Sequence, residues 1–330
     1  MILVCGAITD PATRYFCECL RNYSSSYRLL DQTIYPAGFQ VSWRWRGGCV
    51  AGYIIGPGWK VSLEELTGVY VRYSPKAERM RPQNVGAELA AALYAECDAG
   101  LSSLLECLTC PVANRRSAAM SNWSKPFQTM QIRRLGLDVP PTLITTDPAQ
   151  ARQFYEECNG AVIFKSISGV RSIVRRMTVK DFARLPLLRN SPSQFQAFIP
   201  GDNIRVHTVC DKWFATRIRS AAVDYRYADD EGHSVRMEPT SLPSDIANAC
   251  IQAAEEFGLL FSGIDLKETP DGDYYCLEVN GFPAFDYYEQ GGGQPISAAL
   301  ADLLSRSCFD NIEYFSRIDK NKKKSEIRNL

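Results

Sequence analysis

The first 31 residues place an apolar segment on each side of an amphipathic helix, and this order constrains the fold more than any other feature of the sequence. Residues 2–7 and 27–31 are predicted strands, and residues 11–22 are the predicted helix between them. Two strands joined through a helix run parallel in one sheet, because the crossover returns the chain to the edge from which it started. We therefore expect an N-terminal region built on a parallel sheet.

Composition limits the classes of partner. The 330 residues are 45% hydrophobic and 22% charged, which suits a large core divided among two or three domains. Thirty-seven basic residues balance thirty-seven acidic ones, so no overall field attracts nucleic acid or an anionic membrane. The apolar N-terminal run is too short to cross a bilayer. We expect a cytoplasmic protein that binds neither nucleic acid nor membrane, and homo-oligomerisation stays open.

Twelve cysteines are dispersed along the chain without a secretion signal, which favours reduced thiols over a disulfide framework. Cys107 and Cys110 form a CxxC pair, and Cys17 and Cys19 form a CxC pair. Neither pair has a second Cys/His pair at the spacing of a zinc site. We interpret these cysteines as buried, unreactive thiols.

A hairpin is predicted over residues 40–55, where alternating residues surround Gly47 and Gly48. Trp43 and Trp45 share one face of it, while Arg44 and Arg46 share the other. This pattern favours a packed aromatic face over a peptide-binding edge.

Further along, the residues 160–166 and 171–177 are predicted strands joined by the small-residue segment SISGVRS. Such a loop is either a plain hairpin turn or a mobile cover over a ligand. A helix over residues 245–257, capped by Ser244, precedes the last pair of strands.

The segment SGIDLKETPDGDYYCLEVNGFP predicts two strands that face each other across a turn at residues 269–272. Asp265 lies on the first strand, and Glu278 and Asn280 are two apart on the second, so their side chains point the same way. Three hard oxygen ligands on one face suit Mg²⁺ bound to nucleotide phosphates. The polar outer face of an ordinary hairpin has the same alternation, so this pattern leaves both interpretations open.

Four segments stand in the order typical of ATP-grasp ligases, and together they span residues 112–305. GIDLKETPDGDYYCLEVNGFP resembles the closing metal-binding hairpin of that superfamily, and SKPFQTMQIRRLGLDVPPTLITTD resembles the segment with its early nucleotide lysine. AVIFKSISGVRS resembles its second lysine and phosphate-covering loop, and QFQAFIPGDNIRVHTVCDKWFATRI resembles its adenine hinge and arginine strand. The resemblance implies an α/β (α+β ATP-grasp) fold.

The same resemblance implies a division into domains. A βαβ pre-ATP-grasp domain on the acceptor side would cover residues 1–112, and a central subdomain with the phosphate-covering loop would cover residues 113–194. A C-terminal subdomain with the metal site would cover residues 195–315, so that the two α+β subdomains clamp ATP. The basic tail over residues 316–330 is predicted to be disordered because of its charge.

Roles follow from the resemblance residue by residue. The implied nucleotide contacts are Lys125, Lys165, Ser166, Ser168, Gly169, Gln196, Ala197, Phe198, Ile199 and Asp202. The implied catalytic arginines are Arg205, Arg219 and Arg226, and the implied metal ligands are Asp265, Glu278 and Asn280. The implied cofactors are ATP and Mg²⁺, with two ions expected and Mn²⁺ as the alternative ion. Ala197 stands where family members often carry an acidic residue.

Two groups within the superfamily are similar to this chain: the ligases that resemble ribosomal-protein glutamate ligase, and the microviridin-type or graspetide enzymes that macrocyclise ribosomal peptides. IRSAAVDYR resembles the Ile-x-Ser and Asp-aromatic-Arg motifs of the second group, whereas NGFPAFDYYEQGGG lacks its Gly-Gln-Trp motif. The implied function is an ADP-forming carboxylate-amine ligase that works through an acylphosphate, with a peptide among its candidate substrates. The alternatives are a macrocyclising ligase that forms esters or amides, a kinase that phosphorylates a hydroxyl, and a nucleotide-binding regulator.

Overall fold

Four β-sheets organise the chain in the computed structural model, which describes residues 1–73, 85–167, 174–220, 225 and 232–306. The first sheet begins with β1 (Ile2–Gly6), α1 (Pro11–Asn22) and β2 (Tyr27–Asp31), with both strands parallel. Asp10 caps α1 by accepting a 2.8 Å hydrogen bond from the backbone N–H of Thr13. The predicted βαβ unit is confirmed.

A small antiparallel sheet follows, made of β3 (Gln40–Arg46), β4 (Cys49–Gly56) and β5 (Trp59–Ser62). The predicted hairpin is therefore present, with β5 added as a third strand. Trp43 is 36% exposed and Trp45 is 64% exposed, because the hairpin extends beyond the core that Val41 and Ile54 join. The prediction of a packed aromatic face is wrong for Trp45.

The chain then completes the parallel sheet with β6 (Gly68–Val71) and β7 (Val112–Ala113), which are separated by the long helix α2 (Ala87–Cys107). The strand order is β2-β1-β6-β7, and all three pairings are parallel. Leu101, Leu104 and Leu105 of α2 pack against this sheet in a buried cluster.

The central region forms an antiparallel sheet of order β10-β9-β11-β8. Its elements in chain order are α3 (Lys125–Arg134), β8 (Thr142–Thr145), α4 (Pro148–Glu157), β9 (Val162–Lys165), β10 (Arg175–Arg176) and β11 (Ser193–Ala197). A 3-10 segment, Ala118–Trp123, precedes α3. A second 3-10 segment, Val179–Asn190, contributes Leu185 and Leu188 to the core beneath the sheet.

The last sheet is antiparallel and has the order β14-β13-β12-β15-β16. Its elements in chain order are β12 (Asp202–Val209), β13 (Lys212–Arg219), β14 (Arg236–Thr240), α5 (Ser244–Glu256), β15 (Phe261–Glu268) and β16 (Tyr274–Asn280). Ile204, Val206 and Ile264 face α5 in one apolar cluster. The predicted cap is one residue off, because Pro243 occupies the cap position and Ser244 is already helical.

Two helices, α6 (Asp286–Gly292) and α7 (Ile296–Ser305), follow the last strand. The N-terminal and C-terminal sheets share one core there. The Tyr70 ring lies 4.7 Å from the Phe16 ring and 6.2 Å from the Phe285 ring, measured between centroids. Asn114 reinforces the junction, because its side-chain oxygen accepts hydrogen bonds from the backbone N–H groups of Leu260 and Phe261 at 2.9 and 3.1 Å.

Among the described residues no helix is both long enough and apolar enough to cross a membrane.

Within the same ranges the cysteines form no disulfide. Cys17, Cys19 and Cys110 are buried, and Cys107 is half-buried. Burial raises the pKa of the Cys17 thiol to about 11, which keeps it protonated at neutral pH. This environment agrees with the interpretation of unreactive thiols.

Candidate active site

The predicted metal-binding residues meet on one face of the C-terminal sheet. Asp265 and Glu278 are directly opposed across β15 and β16, and Asn280 is opposed to Gly263. The side-chain amide of Asn280 donates to Asp265 Oδ2 at 3.2 Å. The strand pairing therefore places the three side chains together, as the alternation along β16 predicted.

Two cations accompany the two carboxylates. Lys125, the first residue of α3, has its Nζ 3.7 Å from Glu278 Oε1. Arg205 Nη1 lies 2.8 Å from Asp265 Oδ1, and the two residues are paired in register across β12 and β15. The site thus has two neighbouring carboxylates, each with a cation beside it.

A buried glutamine that the sequence did not single out fixes Lys125 to this site. Gln128 Nε2 donates to the carbonyl of Val279 at 2.8 Å, and Gln128 Oε1 accepts from the Val279 N–H at 3.0 Å. These bonds satisfy backbone groups on the outer edge of β16, the last strand of its sheet. The helix that starts at Lys125 is consequently attached to the strand that carries Glu278.

Arg205 is only 5% exposed and is closely surrounded. A Cβ atom on Gly263 would overlap the guanidinium of Arg205 and the ring of Pro283, so the glycine leaves room for this arginine. Burial opposes the charge, but Asp265 and the nearby Tyr288 raise the pKa of Arg205 above its ordinary value. Arg205 therefore stays a cation that is held in one place, as stabilisation of developing phosphate charge requires.

His207 lies two residues further along β12 on the same face. Burial, and then the charge of Arg205, keeps the pKa of His207 well below its usual value. The neutral ring can donate from Nε2 to the carbonyl of Ala284 at 3.1 Å, and it stacks on Phe261 with 6.0 Å between ring centroids. This is the buried, hydrogen-bonded environment typical of a structural histidine.

The second predicted lysine lies on the central sheet. Lys165 ends β9, and its Nζ is 3.4 Å from Gln196 Oε1 on β11. Gln196 in turn donates from Nε2 to Thr142 Oγ1 at 3.1 Å. Ser166 follows as an exposed residue, whereas Ser168 and Gly169 lie outside the described residues.

The adjoining hinge residues Ala197, Phe198 and Ile199 are half-buried. The N–H of Ala197 donates to the carbonyl of Pro141 at 2.9 Å, and the N–H of Phe198 donates to that of Ala161 at 2.8 Å. Contacts with adenine would therefore use other backbone groups of this segment.

Asp202 and Arg219 lie on the opposite face of the C-terminal sheet from Arg205. Asp202 Oδ2 accepts from Arg217 Nη1 at 2.8 Å and from Arg219 Nε at 3.2 Å. Burial alone would raise the pKa of Asp202, but these two arginines lower it. The structure does not bring Arg219 together with Arg205, and the role assigned to Arg219 stays a prediction. Arg226 lies outside the described residues.

A metal ion at this site would need ligands beyond the protein. In the ranges that the structure describes, no three His, Cys, Asp or Glu side chains converge on one point. Asp265, Glu278 and Asn280 supply two carboxylates and one amide, and Mg²⁺ usually completes its coordination with phosphate oxygens and water. The donor set fits a nucleotide-bound ion better than a structural metal.

Comparison with known proteins gives a curated relative over part of the chain. The chain is 25% identical over 200 residues to the probable alpha-L-glutamate ligase of Rhodopirellula baltica, a match covering 57% of this chain and 49% of that protein. The chain thus spans about half the length of that curated relative.

Two solved structures are similar over more of the chain. Macrocyclase MdnC from Microcystis aeruginosa MRC, bound with precursor peptide MdnA, has a TM-score of 0.78 and 23% identity, covering 93% of this chain and 100% of that one. The ATP-grasp ligase PsnB, complexed with minimal precursor, Mg and ADP, has a TM-score of 0.74 and 28% identity, covering 92% and 96%.

The predicted ATP-grasp fold is confirmed by these similarities and by a match to the family profile. The profile described as the RimK-like ATP-grasp domain matches residues 124–304, more than half of the chain. This range contains Lys125, Lys165, Arg205 and the residues 265–280 that form the carboxylate face. The chain belongs to the RimK-like ATP-grasp family.

Proposed function

We propose that this protein is an ADP-forming ligase that activates a carboxylate of a peptide with MgATP and joins it to an amine. The observation that carries the proposal is the convergence of Lys125, Glu278, Asp265 and Arg205 on one face, with 3.7 and 2.8 Å between the paired charges. The peptide substrate is supported by PsnB, which is complexed with its minimal precursor, Mg and ADP.

Asp265, Glu278 and Asn280 would hold the magnesium of MgATP. Their oxygens are hard ligands, and the opposed strands present them to the same volume. When bound, the ion would neutralise phosphate charge and orient the γ-phosphate. Two ions are expected, and Mn²⁺ could replace Mg²⁺ with the same ligands.

Lys125 and Lys165 would bind the ATP phosphates, and Arg205 would stabilise the charge that develops during transfer. A substrate carboxylate oxygen attacks the γ-phosphorus, and the bond between that phosphorus and the β–γ bridging oxygen breaks, so ADP leaves. The amine nitrogen then attacks the acyl carbon of the acylphosphate, phosphate leaves with the bonding electrons, and the nitrogen loses a proton. The protein supplies position and charge, and it needs no covalent nucleophile.

The test is incubation of the protein with MgATP, candidate peptides, including peptides encoded beside the gene, and a pool of amino acids as the amine. Mass spectrometry should find a product whose mass is lower than the sum of its reactants by one water for each bond formed. One ADP should be released for each bond. Glu278→Gln should reduce peptide-dependent ADP release by about 100-fold or more, because it removes one charge from the phosphate site. Glu157→Gln is the matched control. Glu157 is exposed on α4, and its carboxylate accepts a hydrogen bond from Gln153 on the same helix. Wild-type ADP release by the Glu278 variant would contradict the metal assignment.

Macrocyclisation of a single ribosomal peptide is the second candidate function. It is favoured by similarity that includes the N-terminal sheet, since the two precursor-bound structures match 92–93% of this chain. A macrocyclase would release water from the peptide without any added amine, and the product would resist linear fragmentation. A peptide that gains phosphate would instead identify a kinase, and ATP binding without turnover would identify a regulator.

A further inference from the structure

The ring of Tyr288 covers the charged end of Arg205, and its hydroxyl meets that of Tyr225. The Tyr288 ring centroid lies 5.3 Å from Arg205 Cζ, within the range of a cation–π contact. The hydroxyl of Tyr288 is 2.8 Å from the hydroxyl of Tyr225, so these two groups share a hydrogen bond. The orientation of Arg205 therefore has three constraints: the ion pair with Asp265, the contact of its Nε with His207 Nε2 at 3.4 Å, and the aromatic face of Tyr288.

Tyr288 is rigidly supported. It is 7% exposed, and its ring centroid lies 5.1 Å from that of His207. The helix that carries it, α6, is anchored by Glu289, whose carboxylate accepts from the Ser297 N–H at 2.7 Å. Tyr225, by contrast, comes from the connection between β13 and β14, so the hydroxyl pair links two segments that are 63 residues apart.

The two tyrosines lie in two segments that the sequence analysis singled out. Tyr225 is the aromatic residue of the Asp-aromatic-Arg stretch, and Tyr288 lies in DYYEQGG, where the chain departs from a Gly-Gln-Trp motif. The second segment supplies the aromatic ring over Arg205 and the hydroxyl that bonds to Tyr225.

An arginine that stabilises a transferring phosphoryl group must give up part of its contact with Asp265 to bind phosphate oxygens. A side chain freed in this way has several rotamers available, and an aromatic face reduces that freedom without competing for the donor N–H groups. We infer that Tyr288, held in place by the hydroxyl of Tyr225, is a positioning residue that keeps Arg205 directed at the phosphate site. This inference rests on the function proposed for Arg205.

The test compares Tyr288→Phe, Tyr225→Phe and the double variant. Each single change keeps the ring but removes one end of the hydroxyl pair, so each should lower kcat by about 5- to 10-fold, the effect of one hydrogen bond. The double variant should lose no more than either single variant, and KM for ATP should stay within about twofold of wild type. Tyr287→Phe, on the same helix and exposed, is the matched control and should keep wild-type kcat. Additive losses, or losses confined to KM for ATP, would overturn the inference.

A second measurement is independent of turnover. In protein labelled with ¹⁵N-arginine, the Nε–H signal of Arg205 can be identified by its absence from Arg205→Lys, and its hydrogen exchange should be slow in wild type. Exchange should be at least about tenfold faster in Tyr225→Phe and Tyr288→Phe. Each variant removes the hydrogen bond between the two hydroxyls, and the guanidinium of Arg205 then moves more freely. Unchanged exchange in both variants would refute the positioning role. Failure of every peptide to react would refute the proposed function alone, because the exchange comparison would still stand.

Discussion

Gln128 and Val279 form a two-hydrogen-bond pair that joins the start of α3 to the edge of β16. The side-chain amide of Gln128 reproduces the pairing that another strand would give to Val279. The pair sets the separation of Lys125 and Glu278, whose charged atoms lie 3.7 Å apart.

Gln128→Leu should both destabilise the protein and disturb the proposed phosphate site. The change leaves both backbone groups of Val279 buried without partners, and we expect a loss of about 2–4 kcal/mol in the free energy of unfolding. KM for ATP should rise, because Lys125 loses its alignment with Glu278. Urea denaturation and steady-state kinetics measure the two effects. Gln153→Leu, on the exposed face of α4, is the control and should change neither quantity measurably.

The low pKa of His207 predicts how the stability of the protein depends on pH near neutrality. Its pKa is low in the folded protein, chiefly because of burial, whereas an unfolded histidine titrates at about 6.5. The unfolded chain therefore binds a proton that the folded protein does not, so stability is complete above about pH 6.5 and falls as the pH drops below that value. His207→Gln should remove this part of the pH dependence in denaturation curves recorded between about pH 5 and 8.

The chain provides its own control, because His233 is the only other histidine and it is exposed. His233→Gln should retain the wild-type fall in stability. A fall that persists in His207→Gln would show that another group titrates in this range.

The lowered pKa of Asp10 predicts how the stability of the protein changes at lower pH. Burial alone would raise the pKa of its carboxyl, but Arg72 and the Thr13 N–H lower the net value. A depressed pKa contributes stability above the unfolded value, about 3.9, and that contribution is lost as the pH falls through the folded value. Arg72 also donates to the Phe282 carbonyl at 3.0 Å, so the pair links the N-terminal sheet to the segment after Asn280.

Asp10→Asn should therefore be less stable than wild type at pH 7, and the difference should shrink as the pH falls below about 4. Guanidinium denaturation at a series of pH values measures this convergence. A difference between the two proteins that stays constant from pH 7 to pH 3 would refute the assignment.

Local patterns predicted much of this site, and contacts between distant residues account for what they missed. Asp265 and Glu278 lie opposite each other because side chains alternate along each strand and a tight turn joins the two strands. Both features can be read from one short segment of sequence. Gln128 gave no signal in the sequence, because its meaning depends on Val279, which is 151 residues away. Tyr288 was equally hidden, since nothing in its own helix indicates that Arg205 lies beneath its ring.

Strand pairing also decides which arginines reach the site. Alternation along β13 places Arg217 and Arg219 on one face, but only the pairing of Arg217 with Ile204 shows that this face is the one turned away from Arg205. The sequence resemblance could identify a strand rich in arginine. It could not determine the face, because shifting the register by one residue exchanges the two faces of a strand.

Arg205 and Arg219 consequently provide the sharpest comparison between sequence and structure. Arg205→Gln should lower kcat by about 100- to 1000-fold, because it removes a buried cation from the proposed site of charge development. Arg219→Gln should change kcat by less than about threefold, since its side chain is 51% exposed and its ion pairs with Asp202 and Glu238 are of a kind worth at most about 1 kcal/mol. Peptide-dependent ADP release measures both, and thermal denaturation of the two variants checks that each is folded. A large loss of kcat in Arg219→Gln, with folding intact, would mean that this arginine reaches the phosphates in a conformation other than the one described, and it would restore the catalytic role that the sequence implied.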